Sequence, residues 1–382
     1  MTDSASTPPG VYHSLPLDSS AATLAAQGSA RNEQWEAYFR RRISEQQQHF
    51  TASVTLETTS LAGYLASTEH LRQRLLATLG GWPERPAAVD ARVEEIGELA
   101  GGRLYRVHVT VVEGVEMPAL LLIPQAATAK PAPAVICQHG YAGSPEWMMG
   151  FGTTGQFNYT NSAGRRLAEA GYVVIAPQIV CSPPGVGKDR VRLDRLARLA
   201  GVSLLGMEMF ALSRVVDWLQ TRPEVLPDRI GMYGISQGGK STLYFSALEP
   251  RIKAAVCSCY FNNRWNKMLE DRHLEAIGQR EGLVYRSYLA IEEDDKFNVK
   301  TAPLWPDHLL GALICPRPFM VEIGRYDPVI YWQDAVDEFT RLHQLYTTLG
   351  VSERAQALVA NWGGHEMFYD DAKRFLDRWL QS

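Results

Sequence analysis

Hydrophobic and polar positions change rhythm three times along the chain. Residues 1 to about 30 are rich in Ser, Ala, Thr and Pro without an amphipathic period, which predicts a mobile arm. From Glu33 to Leu79 apolar residues recur at spacings of three and four, first Trp35, Tyr38, Phe39 and Ile43, then Leu71, Leu75, Leu76 and Leu79. That period predicts helices packing on a core or on a partner subunit. Gly80-Gly-Trp-Pro83 closes the region, so residues 31–84 are expected to form a helical extension and residues 85–382 the main domain.

Arg103 to Thr110 and Met117 to Ile123, separated by Glu113-Gly114, read as an antiparallel hairpin. After Pro131-Ala-Pro133 short apolar runs alternate with helical patterns, the signature of a wound, mainly parallel sheet with helices on both faces. The expected strands are Ala134 to Cys137, Tyr172 to Ala176, Ile230 to Gly234, Ile252 to Cys257, Phe319 to Ile323 and Ala357 to Asn361. Helices are expected near Ser162 to Ala170, Leu204 to Gln220, Gln237 to Leu248, Gln333 to Leu349 and Ala372 to Leu380. Three stretches break the alternation: residues 146–161, aromatic and Met-rich; 177–202, Pro/Gly-rich and then basic; and 262–304, long and mixed. Long connections of this kind are either lids and substrate loops or surface elaboration.

Composition narrows the classes of function. A formal net charge of −4 with 46% hydrophobic residues describes a core-forming protein. Charges of both signs are interspersed, and no basic stripe with interleaved aromatics offers a footprint for nucleic acid. No apolar run is long enough to span a bilayer, and the amino terminus lacks a charged-then-apolar secretory pattern. Five cysteines, odd in number and mostly within apolar runs, suit a reduced compartment, so a cytoplasmic location is expected. Cys257-Ser-Cys259 has the wrong spacing for a zinc pair. No metal or organic cofactor is implied, because the histidines and carboxylates show no ligand spacing.

One motif carries chemistry. Arg229-Ile-Gly-Met-Tyr-Gly-Ile-Ser-Gln-Gly-Gly239 runs an apolar strand into Gly-x-Ser-x-Gly, with Ser236 at its centre. Chance alone supplies such a string roughly 0.15 times in a chain of this composition, so its context must decide. The context is strand before and helix after, which makes a nucleophile elbow that pushes the serine Oγ out of the sheet. A serine hydroxyl needs a base to take its proton and a carboxylate to orient that base. Asp327 follows the run Pro318-Phe-Met-Val-Glu-Ile323 by a Gly-Arg-Tyr turn and fits the carboxylate; Asp334 and Asp337 compete from within the next helical pattern. His365, in Trp362-Gly-Gly-His-Glu366 after the last apolar run, fits the base. His343 sits in mid-helix, and His273 and His308 lie in or just after the irregular stretch. The oxyanion donors expected for this strand–elbow–helix arrangement are the backbone N–H of Gln237 and that of Tyr141, in the loop Gln138-His139-Gly140-Tyr141. His139 is expected to shape that loop through backbone hydrogen bonds. Trp147, Met148, Met149, Phe151 and Phe157 are candidates for an apolar substrate pocket.

Taken together, Gln-His-Gly-Tyr141, Gly-Ile-Ser-Gln-Gly-Gly239, Gly-Arg-Tyr-Asp327 and Gly-Gly-His-Glu366 resemble the α/β-hydrolase superfamily, and within it the acetyl xylan esterase and dienelactone-hydrolase-like esterases. Asp307-His-Leu-Leu-Gly-Ala-Leu-Ile-Cys-Pro-Arg-Pro318 is similar to the segment those enzymes carry before the strand of the acid. The resemblance implies Ser236, Asp327 and His365 as a triad, Tyr141 and Gln237 as oxyanion hole, and a serine esterase acting on a small-molecule ester. It leaves two neighbouring activities open, a peptidase or amidase of the prolyl-oligopeptidase type and a carbon–carbon or dienelactone-type hydrolase. Classical dienelactone hydrolases carry a cysteine nucleophile, and here serine stands. Pro177-Gln-Ile-Val-Cys-Ser-Pro-Pro184 stands where cephalosporin-deacetylase-type acetyl xylan esterases carry Arg-Gly-Gln, a departure that puts in doubt the acetyl-sugar substrate and the hexamer the resemblance would suggest. The helices of residues 31–84 remain a candidate surface for a homo-oligomer.

Overall fold

The structure, a computed structural model, describes residues 20–141, 143–152, 158–180, 187–269 and 305–382. The chain divides into two compact units, one ending at Thr55 and the other running from Leu56 to Ser382. The described part of the first unit is helix α1 (Ala21–Ala52), whose Ser20 accepts the Thr23 N–H at 3.2 Å as an N-cap. The helix starts inside the stretch that composition marks as an arm. Trp35 and Phe39 stack at 5.4 Å on this helix, with Tyr38 edge-on to both.

Helix α2 (Leu61–Thr78) belongs to the second unit, although its sequence pattern groups it with the extension. Tyr64, Leu71 and Leu75 are buried, the Tyr64 hydroxyl donates to the Ala312 carbonyl, and Arg72 donates to the Ala247 carbonyl at 2.9 Å. One face thus lies against helices that flank the sheet. The remaining described helices are α3 (Gln125–Ala129), α4 (Pro145–Met148), α5 (Ala163–Glu169), α6 (Gly187–Leu199), α7 (Leu204–Leu219), α8 (Gln237–Leu248), α9 (Arg264–Leu269), α10 (Asp307–Ile314), α11 (Trp332–Thr348) and α12 (Tyr369–Leu376).

Among the described residues nine strands form one sheet: β1 (Ala91–Leu99), β2 (Gly102–Val112), β3 (Val115–Pro124), β4 (Ala132–Gln138), β5 (Val173–Pro177), β6 (Val225–Ile235), β7 (Ile252–Ser258), β8 (Phe319–Gly324) and β9 (Ala355–Ala360). Their order is β1-β2-β3-β5-β4-β6-β7-β8-β9, antiparallel from β1 to β5 and parallel from β5 to β9. The hairpin and the six expected apolar strands are all present. Strand β1 is the addition: its Arg-Val-Glu-Glu-Ile-Gly-Glu pattern lies on an exposed edge. There Arg92 pairs with Glu116 of β3 at 3.1 Å and Glu94 with Arg106 of β2 at 3.5 Å. Charged side chains on an edge strand discourage further strand addition.

The central strands are buried on both faces, which is why they read as unbroken apolar runs. Val135, Cys137, Val174, Tyr233, Ile235 and Val256 join Leu167 of α5 and Phe375 and Leu376 of α12 in the core. The crossovers leave the carboxyl ends of β4, β6, β7, β8 and β9 on one edge. Sites in open α/β sheets collect on that edge.

Candidate active site

Ser236 lies between β6 and α8 with φ 57° and ψ −117°, a left-handed backbone uncommon for any residue with a Cβ. The flanking glycines permit the turn. A Cβ on Gly238 would come 2.1 Å from the Gln138 carbonyl oxygen, and one on Gly234 would come 2.3 Å from the Gly238 oxygen. Only glycine lets strand, elbow and helix approach this closely. The Ser236 N–H donates to the Ser258 carbonyl at the end of β7, at 2.9 Å, and the Ser236 carbonyl accepts the Lys240 N–H at 2.8 Å. Both bonds hold the strained residue in place.

Asp327 and His365 arrive from neighbouring strands and meet. His365 Nδ1 lies 2.8 Å from Asp327 Oδ2. Because a carboxylate oxygen accepts, Nδ1 carries the proton and Nε2 is left as the basic ring nitrogen. Asp327 Oδ1 accepts the N–H groups of Val329 at 2.7 Å and Ile330 at 3.1 Å, which fixes the carboxylate. Backbone bonds tie the two loops together: Tyr326 N–H donates to Gly363 O at 2.9 Å and Arg325 N–H to Ala360 O at 2.9 Å. Ser258, which holds the Ser236 N–H, also donates its Oγ to the Glu366 carbonyl at 3.4 Å, linking the elbow to the histidine loop.

The loop after β4 is organised by His139, fully buried. Its Nδ1 lies 2.7 Å from the Gly140 carbonyl and therefore donates, while Nε2 accepts the Ile179 N–H at 3.3 Å. One neutral tautomer satisfies both bonds, and burial pushes the imidazole down to about 4, which keeps it neutral. The Gly140 carbonyl also accepts the Gly143 N–H at 3.0 Å. Since that carbonyl and the Tyr141 N–H belong to one planar trans peptide, pinning the carbonyl fixes the N–H in the opposite direction. The Gln237 N–H is the first of α8 and has no intrahelical acceptor. Tyr159 completes this corner: a Cβ on Gly140 would lie 3.1 Å from both its hydroxyl and the Cβ of Ser236. The motif gave no sign of Tyr159, which is distant in sequence.

The described rival residues lie on other elements. Asp334 is buried in α11 and accepts from Asn266 at 3.1 Å; His308 Nδ1 pairs with Glu338 at 2.7 Å; Asp337 and His343 lie on α11. His273 lies outside the described residues, as does Phe157. Met148 and Met149 are fully buried core residues against β4 and α5, which replaces the expectation that they line a pocket. Trp147 packs on Tyr159 at 5.5 Å between ring centroids, and Phe151 is exposed. A cavity of about 380 Å³ lies instead at the carboxyl end of β5, walled by Val111, Met117, Ile179, Leu204, Met207 and Glu208 among others. Ile179 is the residue whose N–H reaches His139, so this wall is tied to the loop after β4.

Cys259 has a left-handed φ of 50° and sits beside the Asp327–His365 pair, its Sγ and one ligand atom each of Asp327 and His365 lying within 4.8 Å of one another. Burial and the Asp327 charge hold the thiol well above its ordinary range. It is a neutral S–H donating towards the Glu366 carbonyl at 3.4 Å.

This arrangement is the α/β-hydrolase fold. Residues 117–276 match the Dienelactone hydrolase family. The protein YtaP of Bacillus subtilis (strain 168) is 26% identical over 316 residues, covering 81% of this chain and 98% of YtaP. Among solved structures, a glucuronoyl esterase from Solibacter usitatus superposes with a TM-score of 0.58 at 16% identity, covering 85% of this chain and 98% of that one. Acetyl xylan esterase 1 from Thermoanaerobacterium sp. JW/SL YS485 superposes with a TM-score of 0.53 at 19% identity, covering 82% and 94%. The likeness to the solved structures bears out the fold expected from the four motifs.

Proposed function

We propose that the protein is a serine hydrolase that cleaves a carboxylic ester through an acyl-enzyme on Ser236. The observation that carries this reading is the strained Ser236 elbow on the same sheet edge as an Asp327-oriented His365. In the proposed cycle Ser236 Oγ attacks the ester carbonyl carbon and its proton passes to His365 Nε2. Asp327 stabilises the resulting imidazolium through the Nδ1–H bond. The N–H groups of Tyr141 and Gln237 receive the tetrahedral oxyanion. Collapse expels the alcohol, which takes the proton from His365 and leaves an ester between the acyl group and Ser236. Water then attacks that ester, gives its proton to His365, and a second collapse releases the carboxylic acid and restores the serine.

Matching the Dienelactone hydrolase family and resembling structures named as esterases both support ester cleavage. The reading needs no metal. Asp327 is engaged through both carboxylate oxygens and His365 through Nδ1, so the cluster with Cys259 is accounted for as an acid–base pair with a buried thiol beside it. Turnover of p-nitrophenyl acetate by wild type and Ser236→Ala tests the proposal, with circular dichroism to show that the variant is folded. The variant should retain less than about 1% of the rate; retention of a substantial fraction by a folded variant removes Ser236 from the mechanism.

A further inference from the structure

Glu322 is a carboxylate in the middle of the parallel sheet, with no solvent exposure, and the catalytic cycle above makes no use of it. Its position is informative. It lies on β8, five residues before Asp327, and is paired in register with Ser258 of β7 and Leu358 of β9. Its Oε1 accepts the Tyr233 hydroxyl at 2.6 Å, and Tyr233 lies on β6 three residues before Ser236. The same oxygen accepts the Phe368 N–H at 3.0 Å, and Phe368 follows His365 by three residues. Through its backbone carbonyl Glu322 also accepts the Cys259 N–H at 2.8 Å, just beyond the Ser258 carbonyl that holds the Ser236 N–H.

One residue is thus bonded to the strand of the nucleophile, the strand exit beside it and the loop of the base, while sitting on the strand of the acid. A buried carboxylate in a core is costly unless it does something that an apolar side chain cannot. Here it holds together three chain segments that are far apart in sequence and must meet within fractions of an ångström.

We propose that Glu322 is a positioning residue that sets the placement of His365 relative to Ser236 by bonding the Tyr233 hydroxyl and the Phe368 amide with a single oxygen. This rests on the reading of Ser236, His365 and Asp327 as a triad. The carboxylate touches no reacting atom. Its effect passes through the backbone at residues 365–368, and a displacement of about 1 Å there is enough to cost about 10²-fold in rate.

Glu322→Leu, Glu322→Gln and Tyr233→Phe test the proposal, with kcat and KM measured for a p-nitrophenyl ester and the low-field proton resonance of the His365 Nδ1–H followed by NMR. Gln keeps an oxygen acceptor at the Oε1 position, so Glu322→Gln should hold kcat within about threefold of wild type. Glu322→Leu should lose about 10²-fold in kcat with KM nearly unchanged, and the His365 proton resonance should shift or broaden. Tyr233→Phe loses one of the two bonds and should fall between them, which keeps the test decisive should Glu322→Leu fail to fold. Wild-type kcat in a folded Glu322→Leu or in Tyr233→Phe overturns the positioning role. The triad reading fails by a different result, full activity of Ser236→Ala, so the two failures are separable.

Discussion

Replacing Glu322 by Gln should change how stability depends on pH, and the size of the change follows from the carboxylate's surroundings. Burial pushes the Glu322 carboxyl from the ordinary 4.5 up to about 7, with the Tyr233 hydroxyl and the Phe368 amide offsetting only part of the shift. Between pH 4.5 and 7 the folded protein therefore keeps a proton on this group that the unfolded chain has released. Stability falls with rising pH wherever the folded state binds more protons, and one pKa unit is worth about 1.36 kcal/mol. Glu322 should thus remove about 3 kcal/mol from the wild-type unfolding free energy between pH 4.5 and 7 and nothing further above pH 7. Gln does not titrate. The stability of Glu322→Gln minus that of wild type should accordingly rise by about 3 kcal/mol over that window and then level off. Urea unfolding at half-unit pH steps measures this difference from the shift in midpoint at constant m. A difference that stays flat from pH 4.5 to 7 would refute the argument, since it would mean that Glu322 is charged throughout and solvated well enough to titrate normally.

His139 supplies the mirror image: burial lowers it from 6.5 to about 4, so the unfolded chain binds the extra proton and wild-type stability gains about 3 kcal/mol as pH rises from 4 to 6.5. His139→Phe should lose that gain, so its stability relative to wild type should fall over the same interval; an unchanged difference would contradict a neutral buried imidazole. The same variant removes the Nδ1–H bond that orients the Tyr141 N–H, and kcat for a p-nitrophenyl ester should drop about 10²-fold, at the lower end of the cost of losing an oxyanion donor because Gly143 still holds the carbonyl. A KM effect with unchanged kcat would assign His139 to substrate binding instead. Asp327→Asn should keep the fold and lose about 10⁴ in kcat, because an amide cannot stabilise the imidazolium and favours the wrong tautomer; a loss of less than tenfold would point to another carboxylate.

Much of the framework was legible because each step had a local physical signature. Doubly buried strands read as apolar runs, and the Ser236 elbow announces itself through glycines that the structure shows to be sterically required, Gly238 against the Gln138 carbonyl most clearly. Asp327 and His365 could be selected because they follow the last two apolar runs, and the 2.8 Å contact between them is what that placement predicts. Three features left no such trace. Strand β1 carries charges on both faces, since it lies at an edge and is held by pairing with β2 and by ion pairs rather than by burial. Glu322 sits in Phe-Met-Val-Glu-Ile323 as one polar residue in an apolar run, and its bonds to Tyr233 and Phe368 are separated by 89 and 46 residues in sequence. Met148 and Met149 could serve equally as pocket or core by composition, and only the packing of α4 against β4 and α5 decides for the core.

Labelling with a fluorophosphonate tests the central claim most directly, because the reagent reports a serine that is both exposed to substrate and activated by a base. Intact-mass measurement followed by peptide mapping should show one adduct, on the peptide containing Ser236, with esterase turnover lost in proportion to labelling and no adduct in Ser236→Ala. A fully labelled protein that still hydrolyses p-nitrophenyl acetate, or an adduct on a different residue that accounts for the loss of turnover, would contradict it.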